Sequence, residues 1–209
     1  MTDLPAQAAK SPVRPLIARS IGLVAIGASA GAVEALSVVL SRLSPGFGVP
    51  IVLVVHVPPR APSLLPSLFS EKFGLSAVEA EDKHPLYPGL AYFAPPDYHV
   101  LVEPSRVLSL SADPPVHFSR PSIDVLFESA AASLGDEVLG ILLTGANSDG
   151  ARGLQAIARA GGYTVVQDPA TALATAMPEA ALRLFQPDRV LDLHGIALLL
   201  SELVSEGSS

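Results

Sequence analysis

The stretch Ile21-Gly22-Leu23-Val24-Ala25-Ile26-Gly27-Ala28-Ser29-Ala30-Gly31 decides the fold. Residues 21–28 form a Val/Ile-rich run with no polar alternation, which suits a strand covered on both faces. The run ends in small residues, and residues 31–43 then carry Val33, Leu36, Leu40 and Leu43 at helical spacing. Residues 50–56 repeat the strand pattern, and residues 63–73 read as a second helix. A β-α-β-α opening of this kind predicts a parallel sheet with helices packed over it.

The character changes between residues 76 and 116. Short runs at 90–94, 99–103 and 106–110 are broken by Pro85, Pro88, Gly89, Pro95, Pro96 and Pro104, so an antiparallel hairpin excursion is expected there. Helical spacing returns at 121–134, with Pro121 at the first helical position. Residues 138–144 and 163–167 read as two more buried strands and 189–193 as a short one. Helices are expected from about 151 to 160, at 177–185 and at 196–204. Residues 1–20, rich in Ala and Pro and without a period, read as a flexible leader, with 21–209 as a single domain.

Hydrophobic residues make up 49% of the chain and charged residues 16%, a balance that excludes disorder for its bulk. Mean hydropathy is +0.45, yet the apolar runs fall short of the ~18–20 residues a spanning helix needs, so no membrane insertion is expected. No cysteine is present, which excludes a disulfide framework, a thiolate metal site and a cysteine nucleophile. That, with no secretory pattern at the start, is compatible with the cytoplasm. The net charge of −7 argues against nucleic acid or an anionic membrane surface as the main partner.

Residues 27–31, Gly-Ala-Ser-Ala-Gly, fit G-x-S-x-G directly between a predicted strand and a predicted helix. In that position the small residues permit a sharp turn that lifts the Ser29 hydroxyl to the carboxyl edge of the sheet, and the helix start offers free N–H groups to developing negative charge. The plainer reading is a Gly-rich turn with a helix-capping serine. A serine nucleophile needs a base. Of the five histidines, His56 ends the second predicted strand, on the edge where ligands collect in open parallel sheets. His84, His99, His117 and His194 occupy polar or loop contexts and read as structural or solvated. Asp149, just past the 138–144 strand, can supply the carboxylate that orients an imidazole, or can simply cap the helix beginning at Ala151. Three such residues at the carboxyl ends of three strands strengthen one another. Histidines and carboxylates show no ligand spacing on one element, so neither metal nor cofactor is expected.

These residues resemble the catalytic domain of the CheB chemotaxis methylesterases. The resemblance is carried by IGASAGAVEAL (26–36), VVHVPP (54–59), GLAYFAPPDYHV (89–100), RPSIDVLFESAA (120–131), LTGANSDGARGL (143–154) and AMPEAAL (176–182), in the family's order. It implies a doubly wound α/β sheet and a triad of Ser29 as nucleophile, His56 as base and Asp149 as orienting carboxylate. It also implies hydrolysis of glutamyl methyl esters on the cytoplasmic helices of chemoreceptors, with deamidation of receptor glutamines as a related activity. The family's S-T-G-G is here Ser29-Ala30-Gly31-Ala32, its glutamine before the base is Val55, and its methionine after L-T-G is Ala146. Backbone N–H groups of Ala30 and Ala146 are the oxyanion candidates. The family commonly carries an N-terminal receiver domain, which twenty residues cannot form, so control by a separate regulatory protein is expected. Two other readings compete. The Gly-rich turns at 27–31 and 144–150 loosely resemble those of dinucleotide-binding oxidoreductases, although no full G-x-G-x-x-G and no Tyr-x-x-x-Lys pair accompanies them. A non-catalytic adaptor that keeps the fold is the second.

Overall fold

The computed structural model describes residues 16, 20–43, 47–56 and 63–203. The elements in chain order are β1 (Leu23–Ala28), α1 (Ala32–Leu40), β2 (Ile51–Val55), α2 (Leu65–Phe73), β3 (Ala77–Glu79), β4 (Ala91–Phe93), β5 (His99–Val102) and β6 (Leu108–Ser111). They continue with α3 (Ile123–Leu134), β7 (Val138–Leu142), α4 (Ala151–Arg159), β8 (Tyr163–Gln167), α5 (Ala176–Leu184), β9 (Arg189–Leu191) and α6 (Leu193–Glu202).

Seven strands form one parallel sheet in the order β3-β4-β2-β1-β7-β8-β9. Every residue of β1, β2, β7 and β8 is buried, as the unbroken apolar runs of the first three require; β8 buries Thr164 and Gln167 along with its apolar residues. One core lies between the sheet and α1, α2 and α6 and includes Ile26, Leu36, Leu53 and Ile141. The other lies under α3, α4 and α5 and includes Val54, Ile123, Phe127 and Leu142. The edge strands β3 and β9 are three residues long and partly exposed, which limits the unpaired backbone that either edge presents. The fold is thus doubly wound α/β, as expected.

Four details differ from the sequence reading. The expected antiparallel excursion is the β5-β6 hairpin, whose register pairs His99 with Ser111, with isolated antiparallel bridges at Pro85↔Val107 and Val116↔Ser119, whereas β4 joins the main sheet parallel to β2 and β3. Leu16, inside the segment read as a flexible leader, is 4% exposed and packs into the first core; most of residues 1–20 lie outside the described residues. Helix α1 buries Ala32, Ala35, Leu36, Val39 and Leu40, while Val33 stands at the surface. The small residues Ala32 and Ala35 carry the buried stripe that Val33 was expected to begin. Pro121 does not open α3: Ser122 is its N-cap residue and Ile123 its first helical residue.

The chain winds out from β1 through β2 to one side and returns through β7 to the other. Strand order therefore reverses at the β1/β7 boundary, the place where open α/β sheets form clefts at their carboxyl ends. Helices α3 and α4 meet here closely. Their close approach depends on Gly153, where a Cβ would stand 2.6 Å from the Phe127 Cβ.

Candidate active site

Ser29 follows β1, His56 follows β2, which is paired with β1 from Val24↔Ile51 to Ala28↔Val55, and Asp149 follows β7. Parallel pairing brings all three to one edge. The left-handed residue of the turn after β1 is Gly31 (φ 83°), so the serine itself needs no strained backbone. Gly27 has another role. A Cβ there would lie 2.2 Å from Ile123 Cγ2, so its missing side chain lets the start of α3 sit directly on β1.

The Ser29 hydroxyl lies 3.1 Å from His56 Nδ1, and His56 Nε2 lies 2.8 Å from Asp149 Oδ2. An anionic carboxylate only accepts, so Nε2 carries the ring proton and bare Nδ1 accepts from Ser29 Oγ–H. His56 is partly buried at 12% side-chain exposure and Asp149 is fully buried, so the pair is screened from water on the aspartate side. Asp149 was expected to orient the imidazole or to cap the helix at Ala151. The structure brings it to His56, and the helix it caps is α3 rather than α4. Its Oδ1 accepts from Ser122 Oγ–H (2.8 Å), Asp124 N–H (3.0 Å) and Gly150 N–H (3.0 Å). Its Oδ2 accepts from Ile123 N–H (2.7 Å) as well as from His56. Helix α4 starts instead from Gly150 (φ 85°) with no capping side chain of its own. Asp124, in the first turn of α3, accepts from Gly153 N–H of α4 at 2.7 Å, so the two helices cap each other crosswise.

Burial pushes the Asp149 carboxyl up. The His56 bond, the Asp124 and Ile123 N–H groups and the Ser122 hydroxyl outweigh it and hold the group below its ordinary value. The positive end of α3 acts in the same direction. Asp149 is therefore an anion by construction, which fixes the tautomer of His56.

The Ser29 N–H donates to Thr144 C=O at 2.9 Å and is not free for an oxyanion. Among the described residues, the N–H groups of Ala30 and Ala146 have no acceptor, and both residues are exposed. Thr144 was not singled out in the sequence. Its buried hydroxyl donates to Ala30 C=O (2.8 Å) and accepts from Ala174 N–H (2.9 Å), tying the Ser29 turn to the 172–177 connection. Its N–H is held by Gln167 Oε1 at 2.9 Å. Ser122 was also missed; its place just before a helix marks it as a cap but gives no hint that its hydroxyl turns toward Asp149.

A cleft of about 190 Å³ opens beside the imidazole, lined by His56, Asp97, Pro115, Phe118, Ser119, Arg120 and Pro121. Phe118 is fully exposed on its rim. Potential ligand atoms of His117, Asp124 and Asp149 lie within 4.8 Å of one another. Both Asp149 oxygens and Asp124 Oδ1 already accept from backbone N–H groups, and Asp124 Oδ2 faces His117 Nε2 (3.2 Å) and Arg152 Nε (3.4 Å). The cluster is a set of helix caps and ion pairs, not an assembled metal site. Of the remaining histidines, His84 packs edge-on against Tyr92, and His194 is exposed on α6. Residues 57–59 of the VVHVPP stretch lie outside the described residues. Among those residues no helix is long and apolar enough to cross a membrane.

The family model for the CheB methylesterase matches residues 24–200. A Leptospira interrogans protein, provisionally named a protein-glutamate methylesterase/protein-glutamine glutaminase, is 43% identical over 180 residues, covering 86% of this chain and 93% of that protein. A Pseudomonas aeruginosa protein-glutamate methylesterase/protein-glutamine glutaminase is 40% identical over 190 residues, covering 89% of this chain and 54% of that protein; this chain thus spans about half the length of such longer relatives. The crystal structure of the Thermotoga maritima CheB methylesterase catalytic domain superposes with a TM-score of 0.83 at 29% identity, over 88% of this chain and all of that one. This displaces the dinucleotide-binding alternative for the Gly-rich turns. With its fold, its sequence and the carboxyl-edge placement of Ser29, His56 and Asp149 in agreement, the chain belongs to the CheB methylesterase family.

Proposed function

We propose that this protein hydrolyses glutamyl methyl esters on the cytoplasmic helices of chemoreceptors, with Ser29, His56 and Asp149 as a catalytic triad. The observation that carries this is the continuous hydrogen-bond line from Ser29 Oγ through the His56 ring to a fully buried Asp149 carboxylate.

His56 Nδ1 takes the Ser29 proton as Oγ attacks the ester carbonyl. The tetrahedral oxyanion is received by the N–H groups of Ala30 and Ala146. The His56 imidazolium, stabilised by Asp149 at Nε2, then gives its proton to the departing methoxide and methanol leaves. Water, deprotonated by the same Nδ1, attacks the acyl-serine; the imidazolium passes that proton to Ser29 Oγ as the acyl bond breaks, which frees the glutamate carboxylate and restores the serine. A glutamine side chain follows the same course with ammonia as the leaving group. The ring nitrogens are used in the reverse sense from the serine-protease arrangement, with Nδ1 on the serine and Nε2 on the aspartate, but the division of labour is the same. The cleft beside His56, rimmed by Phe118, receives the substrate helix. A cytoplasmic location fits receptor cytoplasmic helices as the substrate, and a separate regulatory protein remains the proposed route of control.

The test is methanol release from a methylated receptor fragment. Wild-type protein should release methanol, and Ser29→Ala should lower kcat by on the order of 10³ or more while keeping its fold. Near-wild-type turnover by folded Ser29→Ala would overturn the assignment.

A further inference from the structure

Two histidines besides His56 join the triad's hydrogen-bond network: His117 through Asp124, partly exposed, and His99 through Ser122, buried. His99 is 1% exposed on β5, beneath the N-terminus of α3, and both ring nitrogens are engaged. Nδ1 accepts from the backbone N–H of Ser122 at 3.1 Å, which settles the tautomer: Nε2 carries the proton and donates it to Pro114 C=O at 3.2 Å. Ser122 in turn sends its hydroxyl to Asp149 Oδ1 at 2.8 Å. The line therefore runs Pro114 C=O, His99, Ser122, Asp149, His56, Ser29, with Ser122 donating at both of its links (N–H to His99, Oγ–H to Asp149) and Asp149 accepting at both of its own.

Two properties give this line a purpose beyond packing. First, a serine at the N-cap of a helix ordinarily turns its oxygen back to its own helix, and here α3 has no side-chain cap from Ser122. Asp149 takes that duty, and the Ser122 hydroxyl is left as a dedicated donor to the carboxylate. Second, the Pro114 end belongs to the 112–121 segment, which supplies Pro115, Phe118, Ser119, Arg120 and Pro121 to the cleft. The same segment is pinned by Arg120 Nη1, which donates to Ala112 C=O (2.7 Å) and Asp113 C=O (3.1 Å).

We infer that His99 and Ser122 are positioning residues of the catalytic apparatus: Ser122 sets the charge and orientation of Asp149, and His99 locks Ser122 while fastening the cleft wall at Pro114. The inference rests on the triad reading above. Without the Ser122 hydroxyl, Asp149 keeps more of its negative charge for His56 and holds the Nε2 proton more tightly. With one of its holds gone, the carboxylate also turns more freely, and the ring it orients loses its line to Ser29. Without the His99 acceptor, the buried Ser122 N–H is orphaned, and both Asp149 and the 112–121 wall lose their register.

The experiment is ¹⁵N imidazole NMR of the full chain across a pH series, combined with kinetics of ester hydrolysis. In the wild type the His99 signals should show bare Nδ1 and protonated Nε2; the opposite tautomer would overturn the relay. In Ser122→Ala the downfield proton signal of His56 Nε2–H should move further downfield and kcat should fall roughly tenfold or more with KM little changed, while Ser122→Thr, which keeps the hydroxyl, should restore both. His99→Leu should lower kcat and raise KM together, and His99→Asn, which retains an oxygen where Nδ1 stood, should lose less kcat than His99→Leu. An unmoved His56 Nε2–H signal in folded Ser122→Ala would overturn the proposal. The signal and the tautomer are read without substrate. A shifted His56 in a protein that releases no methanol would support the relay and count against the methyl-ester reading alone.

Discussion

Asp149→Asn is the substitution whose outcome the structure dictates most tightly. Every polar neighbour of the carboxylate is a donor. Three meet Oδ1, from Ser122, Asp124 and Gly150, and two meet Oδ2, from Ile123 and His56. An asparagine must put its NH₂ on one of these sides. On the Oδ1 side it would orphan two fixed backbone N–H groups. On the Oδ2 side it would orphan one, that of Ile123, and could donate to His56 Nε2. The second placement is cheaper, and it forces the imidazole proton onto Nδ1, where it faces Ser29 and can no longer accept. One buried, unmatched N–H costs about 1–3 kcal/mol. Losing the anion at the start of α3 adds up to about 1 kcal/mol. The variant should therefore lose about 1–4 kcal/mol of stability, and about 2–4 °C of thermal midpoint for each kcal/mol in a domain of this size. The wrong tautomer should lower kcat/KM by up to ~10⁴-fold, as in other triads. Calorimetry and ester-hydrolysis kinetics on the same preparation decide it. A variant with unchanged midpoint would refute the five-donor geometry, and one that keeps its rate would refute Asp149 as the orienting group.

Three other outcomes follow from the same geometry. Gly27→Ala, whose Cβ would meet Ile123 Cγ2 at 2.2 Å, should cost about 1–3 kcal/mol and reduce kcat, because displacing Ile123 moves an N–H bound to Asp149; a urea melt and a rate measurement check it, and wild-type values would show the contact to be slack. Because the folded Asp149 carboxyl titrates below its ordinary ~3.9, its contribution is complete above about pH 4 and drains away as pH falls through the lower folded value. The stability gap between wild type and Asp149→Asn, read from urea midpoints at stepped pH, should therefore close only below pH ~4, and a gap that closes nearer neutrality would contradict the sign. Phe118→Ala should leave the thermal midpoint in place and raise KM for a receptor fragment several-fold, as loss of an exposed aromatic contact does; an unchanged KM would remove the rim from the substrate path.

The strands that build the active edge were legible because burial on both faces leaves a signature. Residues of β1, β2 and β7 are apolar without alternation, and each run leads into a residue of chemical interest. Parallel pairing then forces Ser29, His56 and Asp149 together. The direction of β4 was not legible: three residues between prolines and glycines carry no mark of parallel or antiparallel partners, and its pairing to β2 is set by the path of α2 and β3 around it. The crosswise capping of α3 and α4 was hidden for another reason. Asp149 stands immediately before α4, so local spacing assigns it there, whereas its actual partners Ile123 and Asp124 are brought by tertiary packing over Gly27 and Gly153. His99, read as structural or solvated, is the structural case, buried on β5; its partners were hidden on the same account, since Ser122 and Pro114 are remote in sequence.

The central claim is that Ser29 attacks the ester and is acylated. The direct measurement is acid-quench mass spectrometry with peptide mapping after brief exposure to an activated glutamyl ester. The account predicts an acyl adduct confined to Ser29 in the wild type and its disappearance in His56→Ala on the same timescale. An adduct on any other residue, or equal labelling of Ser29 in His56→Ala, would contradict it.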